Sequence, residues 1–317
     1  MAKLGEGGYR QINKSLNICA FEDYLTSQMS NLPFIPDVEQ ISPRVIRVLG
    51  QNPGKFTLQG TNTYIIGTGS ERLIVDTSQG IQSWADLIQT TLSEMGFKLS
   101  HVLLTHWHGD HSLGVPQLIA LYPDLVGRIY KHSPDRDQQP IVDGQIFHVE
   151  GATVRAVHTP GHSHDHMCFI VEEDNAMLTG DNILGHGSTA VEEMSTYMKT
   201  LRKMQAYDCQ IGYPAHGTVI TDLRTKVMGE LAQKIRRERQ VLRALDQANK
   251  RDRLAGKDKS QGLTVSELVS AIHGRGLDEE VRKLAVEPFI EEVLRKLAED
   301  GAVAFRLKGG KKKWAAL

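Results

Sequence analysis

Apolar residues recur along the chain at two different periods, and the switch between them outlines its elements. Short apolar runs of strand length fall at Val45–Leu49, Thr63–Ile66 and Leu73–Asp76, the last two joined by a turn at Gly67-Thr68-Gly69. Over residues 81–96 the spacing becomes helical, with Ile81, Trp84, Leu87, Ile88 and Leu92 on one face. A buried strand is predicted at His101–Thr105 and a helix at Leu113–Tyr122. Strand-like segments return at Thr153–Val157, Met167–Val171, Ala176–Leu178 and Gln210–Tyr213, with helical patterning at Ala190–Met204. Residues 1–43 are weakly patterned apart from a helix expected around Phe21–Met29. This order predicts a mixed α/β body whose sheets are buried by outer helices.

The pattern changes after Gly217. Leu223, Val227, Leu231 and Ile235 stand four residues apart and predict a long amphipathic helix to about Ala248. Asn249–Gly262 is polar and charged and reads as a linker or exposed turn. Thr264-Val265-Ser266-Glu267 is a capping box that opens a helix carrying Leu268, Val269 and Ile272. Another helix carries Phe289, Ile290, Val293, Leu294 and Leu297 and ends at Gly301. Val303, Phe305 and Leu307 then alternate as a strand, Gly309-Gly310 turns, and Lys313–Ala316 returns. Helices followed by a hairpin give the order of a winged helix. The expected organisation is an N-terminal extension (1–44), a main body (45–222) and a winged-helix-like region (223–317).

Composition narrows the class. With 317 residues, 40% hydrophobic and 24% charged, the chain can bury a sizeable core, which excludes general disorder and a disulfide-stapled miniprotein. No apolar run approaches the roughly 20 residues that cross a membrane. The first eight residues lack the apolar segment of a secretory signal, so a cytoplasmic protein is expected. Cys19, Cys168 and Cys209 are odd in number and widely spaced, and read as small buried hydrophobes. The net charge of −1 conceals an asymmetry: residues 223–317 carry +8 and residues 1–222 carry −9. A basic region of this kind attracts nucleic acid or an acidic protein, unless it is simply a solvated helical surface.

Histidine is the strongest compositional signal, since twelve of the thirteen lie between His101 and His216. His106-Trp107-His108-Gly109-Asp110-His111 follows an apolar strand and precedes a helix. Alternate residues of an extended segment point the same way, so His106 and His108 can meet one ion. Asp110 and His111 fall on the turn and can reach a second. One hexapeptide cannot fill two coordination spheres, but His162, Asp181 and His216 stand on later loops beside glycine or proline. Imidazole with carboxylate suits zinc, manganese or iron, and the lack of cysteine ligands argues against a purely structural zinc.

This set of motifs resembles the metallo-β-lactamase superfamily over roughly residues 45–217. The resemblance implies an αββα sandwich with a dinuclear site and, in this chain, a C-terminal winged-helix-like domain. It implies that His106, His108 and His162 hold one metal, that Asp110, His111 and His216 hold the other, and that Asp181 bridges. Asp76 matches the family's structural aspartate. His158, His164, His166 and Asp165 flank a ligand and are candidates to orient it. His101, His132, His148, His186 and His273 have no motif context.

A dinuclear centre lowers the pKa of a bound water towards about 7 and polarises a carbonyl or phosphoryl oxygen. Asp110 can bind metal and handle a proton of the attacking water. Thioester, amide or β-lactam, and phosphodiester hydrolysis all remain open on these residues. A thiol leaving group, with a pKa of about 8.5, needs little acid assistance, and no dedicated leaving-group acid stands out.

Gln59-Gly60-Thr61-Asn62-Thr63-Tyr64, Gly161-His162-Ser163-His164-Asp165-His166-Met167 and the winged-helix-like end resemble the beta-lactamase-like protein 2 branch, some members of which are single-strand endoribonucleases. Lys308, Lys311, Lys312 and Lys313 beside Trp314 could meet RNA phosphates and stack a base. Gly8-Tyr9-Arg10-Gln11-Ile12-Asn13, Asn31-Leu32-Pro33 and Gly50-Gln51-Asn52-Pro53-Gly54 are similar to fungal acyl-carrier-protein thioesterases that serve polyketide synthases without a releasing domain. That similarity implies zinc- or manganese-dependent release of an aromatic polyketide, such as atrochrysone carboxylic acid, from the acidic carrier protein of a non-reducing synthase. A metal-dependent endoribonuclease is the alternative, and a non-catalytic metal-binding interaction module is a third class. Residues 183–200 and the N-terminal extension are the expected sources of pocket-lining side chains.

Overall fold

The computed structural model describes residues 32–135, 137–256, 261–274 and 276–317. The helix expected at Phe21–Met29, Cys19 and the Gly8–Asn13 motif lie outside the described residues. The chain divides into two compact units. One comprises residues 32–191 with Lys199–Met228; the other comprises Glu192–Met198 with Gly229–Leu317.

The first unit is built on two sheets. The larger contains β1 (Val38–Ser42), β2 (Val45–Leu49), β3 (Asn62–Ile66), β4 (Glu71–Val75), β5 (Lys98–Leu103), β6 (Ile129–Lys131) and β7 (Gln139–Pro140), in sequential order. Its strands pair antiparallel up to β4 and parallel from β4 onward. The second contains β8 (Ile146–Val149), β9 (Ala152–His158), β10 (Met167–Val171), β11 (Ala176–Gly180) and β12 (Ile211–Pro214), in the order β12-β11-β10-β9-β8. All its pairs are antiparallel except β11 with β12.

The near-continuous apolar runs have a direct cause, because the central strands are buried on both faces. Tyr64, Ile66, Leu73, Val75 and Leu103 meet Val154, Ala156, Met167, Phe169 and Leu178 between the sheets. Ile46, Val48, Ile65, Ile74, Val102 and Leu104 instead face the outer helices α1 (Gln82–Met95) and α3 (Val115–Leu121), packing on Trp84, Ile88, Leu92 and Leu118. Gly96 ends α1 in a left-handed conformation and donates its N–H to the Leu92 carbonyl. On the second sheet's side, the Lys199–Ala206 portion of α4 (Met194–Ala206) is tied down by Thr200 Oγ1 donating to the Pro160 carbonyl at 2.6 Å. The layers are therefore α/β/β/α. Among the described residues, no helix is long and apolar enough to cross a membrane.

Three expectations differ from the structure. The helix expected over Leu113–Tyr122 is the shorter α3, and a separate turn of helix, α2 (Gly109–Ser112), precedes it. Between them Gly114 admits a close backbone approach, since a Cβ there would stand 1.9 Å from the Thr77 carbonyl oxygen. The helix expected over Ala190–Met204 begins at Met194 and ends at Ala206. Strands β1, β6, β7 and β8 were not expected, because none of them is an unbroken apolar run like those of the central strands.

Helix α5 (Leu223–Leu254), whose residues from Gly229 onward belong to the second unit, continues six residues past the expected end before the undescribed 257–260. Thr264 caps α6 (Val265–His273): its Oγ1 accepts from Glu267 N at 3.1 Å, and Glu267 Oε2 accepts from Thr264 N at 2.7 Å. Helical residues Glu279–Glu299 (α7), with a π-helical stretch at Arg282–Val286, lead to the hairpin β13 (Val303–Lys308) and β14 (Lys311–Ala316). Leu268, Val269, Ile290, Val293, Leu294, Leu297, Val303 and Trp314 are buried here.

Trp84 anchors the outer layer of the first unit. It is fully buried and donates from Nε1 to Thr63 Oγ1 at 3.1 Å. Trp84→Ala is expected to cost about 3–5 kcal/mol of stability, read as a lower urea midpoint at unchanged m-value; an unshifted midpoint would show that α1 is not an integral layer.

Candidate metal centre

All seven residues singled out by the sequence lie at the C-terminal ends of strands and converge. His106 and His108 follow β5, and Asp110 and His111 ride on α2. His162 follows β9, Asp181 follows β11 and His216 follows β12. The donor atoms form two groups, each with all atoms within 4.8 Å of one another: His106, His108, His162 and Asp181; and Asp110, His111 and His216. In the first, His108 Nδ1 lies 2.7 Å from His106 Nε2 and 3.1 Å from His162 Nε2. In the second, Asp110 Oδ2 lies 3.3 Å from His111 Nε2 and 3.2 Å from His216 Nε2. Asp181 stands between the groups. Its Oδ2 is 3.5 Å from His162 Nε2, while its Oδ1 is 3.5 Å from His111 Nε2 and 3.2 Å from His216 Nε2.

The surrounding hydrogen bonds set the tautomers. His111 Nδ1 donates to Asp76 Oδ2 at 2.8 Å. Thr105 donates to the same carboxylate from N and Oγ1, both at 2.8 Å, and its hydroxyl oxygen then accepts from His106 Nδ1 at 3.0 Å. His162 Nδ1 donates to the Ala190 carbonyl at 2.8 Å. With Nδ1 donating on all three rings, neutral His106 and His162 each present an Nε2 lone pair to the centre, and His111 does so once its Nε2 proton is lost. Asp76 holds this position with φ at +62°, a left-handed conformation that the three bonds to its carboxylate stabilise.

Two further devices aim the late ligands. Asn62, at the start of β3, donates its backbone N–H to the Ala215 carbonyl at 2.7 Å. Its Nδ2 donates to the carbonyls of Pro214 and Gly217 at 2.9 and 2.8 Å. The first sheet thus clamps both sides of His216. Asp181 N donates to His166 Nε2 at 3.0 Å. Gly180 has φ at +50°, and a Cβ there would lie 2.5 Å from His166 Nε2, so only glycine admits this approach.

Of the histidines flanking His162, His166 contacts Asp181, His158 stacks on His132 at 4.0 Å, and His164 is exposed. Asp165 accepts from Ser163 Oγ at 2.9 Å. Sequence reasoning missed Thr105, Asn62 and the Ala190 carbonyl. The first two lie within motifs that were read only as strand or signature residues, and a backbone carbonyl leaves no trace in residue identity.

The electrostatics of the two groups are opposite. Burial, reinforced by neighbouring imidazoles, holds His106 well below its usual pKa and His108 down to about 2. At Asp110 and Asp181 burial alone would raise the pKa, but His111 and His216 outweigh it and keep both carboxyls ionised. Burial likewise opposes protonation of His111 and His216, yet Asp110 and Asp181 prevail, raising His111 well above its usual value and His216 to about 9. The residues fit divalent ions on two counts. Nitrogens of His106, His108 and His162 converge at 2.7 and 3.1 Å, close enough for one cation to share them, and the buried atoms His111 Nε2, His216 Nε2 and Asp181 Oδ1 have no hydrogen-bond partner.

The chain belongs to the metallo-beta-lactamase superfamily, whose profile matches residues 56–216. It is 67% identical over 311 residues to an atrochrysone carboxyl ACP thioesterase from Cryptosporiopsis sp. (strain 8999), covering 98% of this chain and 97% of that one. It is 65% identical to another of the same name from Paecilomyces divaricatus, covering 99% and 98%. It is also 67% identical to a lactamase-like protein from Aspergillus sp. (strain MF297-2), covering 98% of both. A beta-lactamase domain protein from Burkholderia ambifaria shares the fold, with a TM-score of 0.66 at 20% identity over 90% of this chain and 95% of that one.

Two outcomes are expected. Asp76→Asn should weaken metal affinity about 10–100-fold, measured by competition with a chromophoric chelator; unchanged affinity would show that Asp76 does not orient His111. The second concerns pH. His111 and His216 have folded pKa values above the unfolded value of 6.5, so their contribution is full below about pH 6.5, and that of His216 is lost as pH rises through about 9. Metal-free protein should therefore lose thermal stability between about pH 7 and 9, and zinc-loaded protein should not. A parallel loss in both forms would refute the assignment.

Proposed function

We propose that the chain is a metal-dependent thioesterase. It hydrolyses the thioester between an aromatic polyketide and the acyl-carrier protein of a non-reducing polyketide synthase, releasing a carboxylic acid such as atrochrysone carboxylic acid. The observation that carries this reading is full-length identity of 65–67% to relatives bearing that name. The seven converging side chains support the same chemistry.

In this reading His106, His108 and His162 would hold one ion, Asp110, His111 and His216 would hold the other, and Asp181, which stands between the two groups, would serve both. The imidazole and carboxylate donors suit zinc, and manganese is compatible with them. Two such ions, when bound, would polarise the thioester carbonyl and acidify a water molecule. Asp110 is the catalytic residue: its carboxylate is held ionised, so it can accept a hydrogen bond from the attacking water and handle its proton as the bond to carbon forms. Water and thioester yield carboxylic acid and thiol. The carrier's thiol has a pKa of about 8.5 and leaves with little help. The catalytic body would span residues 45–222, between the N-terminal extension (1–44) and the winged-helix-like region (223–317), in a cytoplasmic enzyme.

A side-by-side assay tests the proposal. Purified enzyme should release acid from a polyketide-loaded carrier protein and leave a single-stranded RNA oligomer intact. Asp110→Ala should lower the rate by about 10²–10⁴-fold while the far-UV CD spectrum is retained. Undiminished release by that variant, or metal-dependent RNA cleavage in place of release, would overturn the reading.

A further inference from the structure

Helix α5 carries a line of positive charge that the metal centre does not use. Arg236, Arg239, Arg243 and Lys250 are all exposed, whereas Lys234, Val241, Ala244, Leu245 and Ala248 are buried. Steps of three, four and seven residues place the four cations on one face of the helix. At 1.5 Å per residue the line is roughly 21 Å long. None of the four lies within 4 Å of a carboxylate among the described residues. The acidic side chains nearby are engaged or set apart. Glu238 pairs with Lys296 at 2.6 Å, and Glu230 lies on the buried face. Asp246 is exposed between Arg243 and Lys250 without forming an ion pair with either. Other basic residues of the same unit are partly neutralised, since Lys313 pairs with Glu267 at 2.6 Å and Lys312 with Glu291 at 3.6 Å.

Arg236–Arg239 and Arg239–Arg243 are like-charge i, i+3 and i, i+4 pairs that weaken an isolated helix, and the one carboxylate on the same face, Asp246, leaves a net charge of +3 along it, so folding alone does not explain the line. The charge asymmetry adds direction. Residues 223–317 carry +8 while residues 1–222 carry −9, so an acidic macromolecule is repelled by most of the chain and attracted to this part of it.

We propose that the exposed Arg236–Arg239–Arg243–Lys250 face of α5 is the docking surface for the acidic carrier-protein domain. The proposal rests on the thioesterase reading for the identity of the partner. Acidic side chains on a carrier helix laid along α5 would meet the four cations in turn. These contacts are solvent-exposed, so they steer encounter and set KM while leaving the chemical step alone.

Direct binding separates this proposal from the reading beneath it. Labelled full-length enzyme is titrated with unacylated carrier domain, and the same proteins are assayed on the loaded carrier and on a glutathione thioester. The variants are the triple reversal R236E/R239E/R243E, the milder triple R236A/R239A/R243A, and R128E, an exposed cation of the other unit, as the control. The triple reversal should weaken carrier binding and raise KM for the loaded carrier by about tenfold or more, with glutathione-thioester turnover, metal content and melting temperature unchanged. The alanine triple should lie between it and wild type, and R128E should match wild type. Raising salt from about 0.05 to 0.5 M should erase the difference between wild type and the triple reversal. Wild-type binding that the triple reversal leaves intact, or an equal loss with R128E, would overturn the docking surface. So would capture of an RNA oligomer on α5 that the carrier fails to displace. Carrier binding that depends on α5 without hydrolysis would instead uphold the surface and sink the thioesterase reading.

Discussion

The structure depends on one constraint: buried imidazole nitrogens that converge within hydrogen-bond distance of one another. Nothing in the hydrophobic packing of the two sheets requires this arrangement. Three of the rings, His106, His111 and His162, are held from behind by Thr105, Asp76 and the Ala190 carbonyl, so that the other nitrogen of each must face the centre. The carboxylates of Asp110 and Asp181 then supply negative charge to the same small volume. Such a site has little use as packing and much as a receptor for positive charge.

The sheets make this affordable. Strands buried on both faces form a rigid pair of layers, and every ligand sits where a strand ends. Loops at those ends are free to vary in chemistry because the layers beneath them carry the stability. Asn62 shows how the two layers are registered. One side chain, at the start of a strand in the first sheet, fixes two carbonyls of a loop belonging to the second.

Much of this was legible in the residues. The spacing in His106–His111 and the glycine and proline beside His162, Asp181 and His216 marked all seven donors, because metal coordination constrains residue type as well as position. Helix α1 was legible from its helical spacing and the central strands as short unbroken apolar runs. Strands β1, β6, β7 and β8 were not, since none of them is an unbroken apolar run. The need for glycine at position 114 was also hidden, because its cause is the carbonyl of Thr77, and sequence does not report which backbones approach each other. The outer supports of the site, Thr105 and Ala190, escaped for related reasons. A threonine at the end of a strand is unremarkable until its hydroxyl is seen between a carboxylate and an imidazole.

Each donor group draws side chains from loops of both sheets: His106 and His108 with His162 and Asp181 in one, Asp110 and His111 with His216 in the other. An ion in either place is therefore a cross-link between layers that are otherwise joined by apolar packing, turns and hydrogen bonds such as those of Asn62. The two described cysteines, Cys168 and Cys209, form no disulfide. Metal occupancy would then rivet this body together, and the enzyme's readiness to react and its resistance to coming apart would be supplied by the same two cations.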